Sequence, residues 1–169
     1  MRRLLLSLPA FWAAFTAFGQ TAWVSTRIST QPGGPAVTVD GTEYHGTQDF
    51  LWAPGSTHVL SVKPEQVDFS AGLRYTFRAW RNSSGQSLGA GTTLTVVAGT
   101  SPASIVAAFD VEYALRLRLY ACNQEDPSLC PERPGFVYIN GRRYSSDVML
   151  WMEPGVLLEV SAQAEPGFV

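Results

Sequence analysis

Gly85-Gln86-Ser87-Leu88-Gly89 has the Gly-x-Ser-x-Gly spacing of a serine nucleophile elbow. That device needs a strand before the serine, a helix after it, and an acid and a histidine later in the chain. Here Ala90-Gly91-Thr92-Thr93 follows and leads into a strand pattern, and both histidines, His45 and His58, precede the serine. The segment reads as a polar hairpin loop, and a hydrolase would require a histidine brought close to Ser87. His45 stands beside Gly46 in a turn, and His58 shares a strand pattern with Leu60 and Val62, so both read as surface or rim residues. Neither a His-Glu-x-x-His pair nor a calcium-loop pattern occurs. Asp40, Asp49, Asp68 and Asp110 are scattered, and three of them sit at turns or loops, where aspartate bonds the local backbone. No catalytic residue, metal or cofactor is expected.

Cys122 and Cys130 lie eight positions apart. In an exported chain the default for such a pair is a disulfide, with free or redox-active thiols the other reading. Closing so short a loop contributes about 2.5 kcal/mol in the chain-entropy treatment. A zinc site would need more ligands, and neither histidine is nearby in sequence. Trp52, Trp80 and Trp151 fall at strand ends near turns and are the candidate ligand-stacking residues, for instance on sugar rings. The competing reading is that they plug the ends of small β cores.

Export is read from the first residues. Met1-Arg2-Arg3 is followed by an apolar or small run from Leu4 to Phe18, interrupted by Ser7, Pro9 and Thr16. This is the order of a secretory signal peptide, assigned to residues 1–19 with cleavage after Gly19, or after Ala22 as the second choice. The paired arginines leave twin-arginine export as an alternative route. The apolar run is about 15 residues, short of the roughly 20 that a membrane helix needs. Without the leader, ten basic and fourteen acidic residues remain, a net charge of −4, and Lys63 is the one lysine. A nucleic-acid surface needs clustered basic residues, so no such partner is expected. No membrane span is expected after the leader is removed.

Behind the leader nearly every segment alternates with period two, and no stretch has helical periodicity. Trp23 to Ser29 opens the series. Val37-Thr38-Val39 and Thr42-Glu43-Tyr44 flank Asp40-Gly41, a pair suited to a type I′ hairpin turn because both residues tolerate positive φ. Gln48 to Trp52 ends at Pro54-Gly55, and Thr57 to Val62 follows. Leu73, Tyr75, Phe77 and Ala79 alternate with Arg74, Thr76, Arg78 and Trp80, as in a half-buried antiparallel strand. Ser104 to Phe109 is a further strand, and Val111 to Leu119 is read as the next. Fifteen glycines, eleven prolines and few charges suit short strands joined by turns.

The chain also repeats itself. Val37-Thr-Val-Asp-Gly-Thr-Glu-Tyr44 recurs as Val137-Tyr-Ile-Asn-Gly-Arg-Arg-Tyr144, and Phe50-Leu-Trp-Ala-Pro-Gly55 as Leu150-Trp-Met-Glu-Pro-Gly155, both at an offset of 100 without a gap. Ile28 to Val37 is nine residues, whereas Leu119, taken as the counterpart of Ile28, to Val137 is eighteen. The second copy therefore carries an insertion that holds both cysteines. The expected fold is all-β, with antiparallel, sandwich-like tandem repeats at 23–112 and 113–169, the second incomplete. Its strand pattern stops at Pro166-Gly-Phe-Val169, before a counterpart of the Tyr75-Phe77 strand, so the chain reads as a fragment or truncated product.

Tyr75, Phe77 and Trp80, then Ser104, Ile105, Ala107 and Phe109, then Tyr113, Leu115 and Leu117 together resemble the divergent internalin-B-type bacterial repeat. Pro35-Ala36-Val37-Thr38-Val39-Asp40-Gly41 resembles the hairpin of the PEGA surface module. The resemblance spans about residues 24 to 169 and rests on short structural motifs. Trp80-Arg81-Asn82 departs from it, because such repeats commonly place a small residue after the tryptophan. What the resemblance implies is a set of small β repeats in a large bacterial surface protein, usually without enzymatic residues. The expected function is a non-catalytic structural or adhesive module of an exported bacterial protein, facing an unknown surface, protein or glycan. The alternative is a carbohydrate-binding accessory module of a secreted enzyme, which a planar row of exposed aromatics would favour.

Overall fold

A computed structural model describes residues 22–118 and 135–164. The expected leader, Leu119, Cys122 and Cys130 lie outside the described residues. The fold is all-β. The described residues form fourteen strands and no helix.

The first strand, β1 (Val24–Gln31), turns Val24, Thr26 and Ile28 inward at alternate positions. A hairpin follows, β2 (Ala36–Val39) and β3 (Thr42–His45). Asp40 and Gly41 have φ of 48° and 84°, as a type I′ turn demands. After these come β4 (Gln48–Trp52), β5 (Thr57–Ser61), β6 (Glu65–Asp68), β7 (Leu73–Asn82), β8 (Ser87–Gly89) and β9 (Thr93–Val97). The long β10 (Ala103–Leu117) leads to β11 (Gly135–Ile139), β12 (Arg142–Tyr144), β13 (Val148–Met152) and β14 (Val160–Ala164).

One sheet has the order β4-β1-β10-β7-β6, with β13 added to β10 and β8 to β7. A second has the order β3-β2-β5-β9, and a third β12-β11-β14. The core lies between the first two. Ile28, Trp52, Tyr75, Trp80, Ile105, Ala107 and Phe109 meet Val37, Val39, Leu60 and Val62 there. The outer face of the large sheet is laced with cross-strand ion pairs. Arg27 holds Asp49 in two bonds of 2.8 and 3.0 Å, Arg74 holds Glu112 at 2.6 Å, and Arg78 meets Asp110.

A bulge corrects the simple alternation of β7. Ala108 pairs with Ala79, but Phe109 pairs with Phe77, so Arg78 is an extra residue on the β7 side. One inserted residue exchanges the faces beyond it. Tyr75 therefore points inward before the bulge and Trp80 points inward after it, although the sequence pattern set Trp80 on the charged face.

The two segments read separately as 104–109 and 111–119 are one strand, β10. Its first part pairs parallel with β1, Thr26 opposite Ala103 through Gln31 opposite Ala108. Its middle pairs antiparallel with β7, and Tyr113 to Leu117 pair antiparallel with β13. The boundary expected at 112/113 thus falls inside a continuous strand. Register also replaces the counterpart assigned to Ile28. Ile28 stands opposite Gln48 in β4, and Leu117 stands opposite Val148 in β13. Leu117, not Leu119, occupies the position of Ile28, and the connection to Val137 is twenty residues against nine.

Pairings of residues 36–61 recur at an offset of 100. Val37 opposite Tyr44 becomes Val137 opposite Tyr144, and Val39 opposite Leu60 becomes Ile139 opposite Val160. Asp40 Oδ1 accepts from Val59 N–H at 2.8 Å, and Asn140 Oδ1 accepts from Glu159 N–H at 3.0 Å. Asn140 and Gly141 repeat the positive φ, at 49° and 76°.

Candidate functional site

The side chains singled out for ligand stacking fall in three different settings. Trp80 is fully buried, and its indole N–H donates to the Gly91 carbonyl at 2.9 Å. It has no free face, and its role is to fill the core. Trp52 is 5% exposed, with one stacked neighbour in His58 (ring centroids 3.8 Å apart, planes 8° apart) and another in Phe50 (5.6 Å). Trp151 is one position off the counterpart of Trp52, which is Met152, and a shift of one residue along a strand reverses the face. It is half-buried on the outer face, under the Arg74 guanidinium at 5.1 Å. The three rings therefore form no shared platform. Trp52 and Trp80 are core residues, and this corrects the expectation that they stack on a ligand.

Ser87 lies on β8 opposite Arg81. His58 bonds Ser56 and Asp40, and His45 approaches Glu43 at 3.5 Å, so neither histidine takes Ser87 as its partner.

A cluster that no sequence motif revealed stands at the end of the Trp52 stack. Asp40 Oδ2 is 2.6 Å from His58 Nδ1, and His58 Nε2 is 2.8 Å from Ser56 Oγ. Asp40 comes from the β2–β3 turn, Ser56 from the Pro54-Gly55 turn, and His58 from β5. Their connectivity is that of a Ser-His-Asp relay. Hydrogen-bond accounting argues for another role. The Ser56 hydroxyl has one proton, and its Oγ also lies 2.7 Å from the Ala53 carbonyl, which only accepts. His58 Nδ1–H serves Asp40, so a neutral imidazole can only accept at Nε2, and Ala53 O and Nε2 compete for the one Ser56 proton. A nucleophile also needs N–H donors aimed at an oxyanion. Two neighbouring backbone N–H groups are already used. Gly55 donates to Ala98 O at 2.8 Å and Ser56 to Ala53 O at 3.0 Å. The cluster instead joins two turns and holds the imidazole flat on Trp52.

Asp40 is held below its ordinary carboxylate pKa by the hydrogen bond from His58 and then by that from Val59 N–H. Asp49 is lowered in the same way by Arg27. At an offset of 100 the three cluster positions hold Asn140, Val156 and Leu158, so the hairpin and turn form there without a relay. Sequence reading missed the cluster because its members lie on three elements. The one local signal was Ser56-x-His58, a spacing that puts two polar groups on one side of an extended segment.

An open cleft of about 350 Å³ lies elsewhere, lined by Ser25, Arg27, Asp49, Ser83, Pro102 and Ser104. Its charged groups, Arg27 and Asp49, are spent on each other. Among the described residues no group of three or more His, Cys, Asp or Glu side chains is placed to hold a metal ion. Among the described residues there is no helix long and apolar enough to cross a membrane.

No family model matches the chain, and neither does any curated protein or solved structure.

Proposed function

We propose that the chain is a non-catalytic structural or adhesive module of an exported bacterial protein, built as two β units of the internalin-B-like type in series. The observation that carries this reading is β10. One strand closes the first unit against β1 and β7 and opens the second against β13. A shared strand leaves no linker at the junction, so one unit fixes the direction of the next, as a spacer or presenting arm requires. The relay at Asp40, His58 and Ser56 does not oppose the reading, because the neighbouring N–H groups of Gly55 and Ser56 are already engaged. A glycan-binding accessory role has less support, with Trp52 and Trp80 covered and Arg74 over Trp151.

The test expresses the whole chain in a bacterium, locates it, and assays the purified protein on aryl esters, peptides and glycosides. Recovery outside the cytoplasm and no turnover above background are expected. Turnover abolished by Ser56→Ala or His58→Ala would overturn the non-catalytic reading. Retention in the cytoplasm with Met1 intact would overturn export.

A further inference from the structure

The β3-β2-β5-β9 sheet ends at β9. Val62 N–H donates to the Thr92 carbonyl at 2.9 Å, and Ala98 N–H donates to the Ser56 carbonyl at 2.8 Å. Between these two bonds the register runs without a shift, from Ser61 opposite Thr93 to Thr57 opposite Val97. In an antiparallel ladder alternate residues turn both peptide groups to the same side. Residues 92, 94, 96 and 98 therefore spend theirs on β5. Thr93, Thr95 and Val97 turn their N–H and C=O groups to the other edge of β9, and no described strand pairs with that edge.

The side chains beside this edge are open too. Thr93 and Thr95 are exposed, Val97 is 64% exposed, and Val59, opposite Thr95, is 44% exposed. Thr57 and Ser61 complete this outer face, which carries no charge on β5 or β9. On the inner face Leu94 and Val96 pack against the core. Exposed edges are commonly guarded by charged side chains or proline. The edge strands β3, β4 and β6 carry Glu43, Asp49, and Glu65 with Asp68. β9 has neither charge nor proline, and its threonines and valines favour the strand state.

We propose that the free edge of β9 pairs with the same edge of a second copy of this chain, in an antiparallel, two-fold symmetric dimer. The register identifies the occupant. A two-fold axis at Thr95 sets Thr95 opposite its own copy and Thr93 opposite Val97 of the second copy. All three outward residues then stand in hydrogen-bonded positions, and each satisfies both of its main-chain groups. On the inner face Leu94 meets Val96 of the second copy, apolar against apolar. On the outer face the Thr95 pair is of a kind that stabilises sheets. No charge on β9 meets its own copy across the axis. The pairing consumes the free edge of β9 in each copy, so it closes at two chains. The inference goes beyond the proposed function and depends on neither export nor the absence of catalysis.

The test follows the full chain by sedimentation velocity from about 1 μM to about 1 mM, with amide exchange at both ends of the range. A monomer–dimer equilibrium is expected. In the dimer the amides of Thr93, Thr95 and Val97 should exchange about tenfold more slowly, or slower still, than in the dilute monomer. Thr95→Lys sets two like charges opposite each other on the axis. It should stay monomeric at concentrations where the parent is mostly dimer, whereas Thr95→Ser should still dimerise. An unchanged melting curve of the dilute Thr95→Lys protein shows that β9 keeps its pairing with β5. If that variant does not fold, the exchange map of the parent decides alone. A chain that is monomeric up to about 1 mM overturns the proposal. So does a dimer that persists in Thr95→Lys, protection that maps to another edge, assembly beyond two copies, or edge amides already slow in the dilute monomer.

Discussion

Asp40 joins two separable functions in one carboxylate. Oδ1 takes the Val59 N–H, which ties the hairpin turn to β5, and Oδ2 takes His58. Asn140 retains the first function without the second, so Asp40→Asn is a variant that the chain itself has already tried. It should keep the turn and lose only the His58 pair. Exposed pairs of this kind are screened, and the expected loss is below about 1 kcal/mol, read from denaturant midpoints at neutral pH. The pH dependence follows from the sign of the shift. The pKa of folded Asp40 lies below its unfolded value of about 3.9, so its stabilisation is complete above that value and is lost as pH falls through the folded one. Asp49 and Asp68 are shifted the same way, Asp68 chiefly by the Ser70 hydroxyl. Midpoints should therefore fall below about pH 4, and less steeply in Asp40→Asn. Equal acid slopes in the two proteins would show that the His58 bond contributes nothing. Gly34, unlike Asp40, has no room for a side chain. Its φ is +126°, and an added Cβ would stand 2.7 Å from the Tyr75 hydroxyl, so Gly34→Ala should destabilise the fold by both strain and overlap.

At the scale of elements, β7 shows where sequence reading succeeds and where it stops. Period-two alternation locates the strand and puts Tyr75 inside, because burial of one face leaves that pattern directly in the residue types. The bulge at Arg78 leaves no such mark. An arginine is ordinary on an outer face, and only its pairing with β10 shows that it has no partner position. Simple alternation therefore sets Trp80 on the wrong face. The hairpins were legible because Asp-Gly and Asn-Gly state their backbone geometry in their own chemistry. The Asp40–His58–Ser56 cluster was not, because long-range pairing alone assembles it. The bulge gives a sharp test. Arg78→Ala removes an exposed, solvent-screened ion pair with Asp110 and should leave stability nearly unchanged. Deleting Arg78 removes the extra residue and leaves Trp80 inward by simple alternation after Phe77 and Ala79, whereas deleting Arg78 and Ala79 together would turn it outward, and loss of such a core aromatic costs about 3–5 kcal/mol. A red-shifted tryptophan emission and a lower midpoint are expected in the double deletion and not in the single deletion or the substitution. If the single deletion shifts the emission as the double deletion does, an extra residue at Arg78 is not what puts Trp80 inward.

For the whole molecule, the shared strand makes the two proposed units unequal partners. The first holds almost the entire buried core, including Trp80, Leu60 and Ala107 at full burial. In the second, Ile139 is buried at 4%, while Val160, Met149 and Val156 remain 42–50% exposed and Leu157 is 93% exposed. Full burial of an aliphatic side chain contributes about 1.5–3 kcal/mol, against a total of about 5–15 kcal/mol for a domain. A few open positions are therefore enough to leave the second unit marginal by itself. Cutting after Glu112 spares every pairing of β10 with β1, and with β7 it removes only Tyr113 opposite Leu73. Residues 22–112 should accordingly melt in one cooperative transition near that of the full chain. Residues 113–164 should not fold alone, since β13 would keep only the severed end of β10 and the β12-β11-β14 sheet would have no second layer. In the full chain, amide exchange should be slow at Leu60, Trp80 and Ala107 and faster at Val160 and Leu150. Uniform protection across both units would mean that the open face of the second is already covered, and that the two fold as one cooperative body.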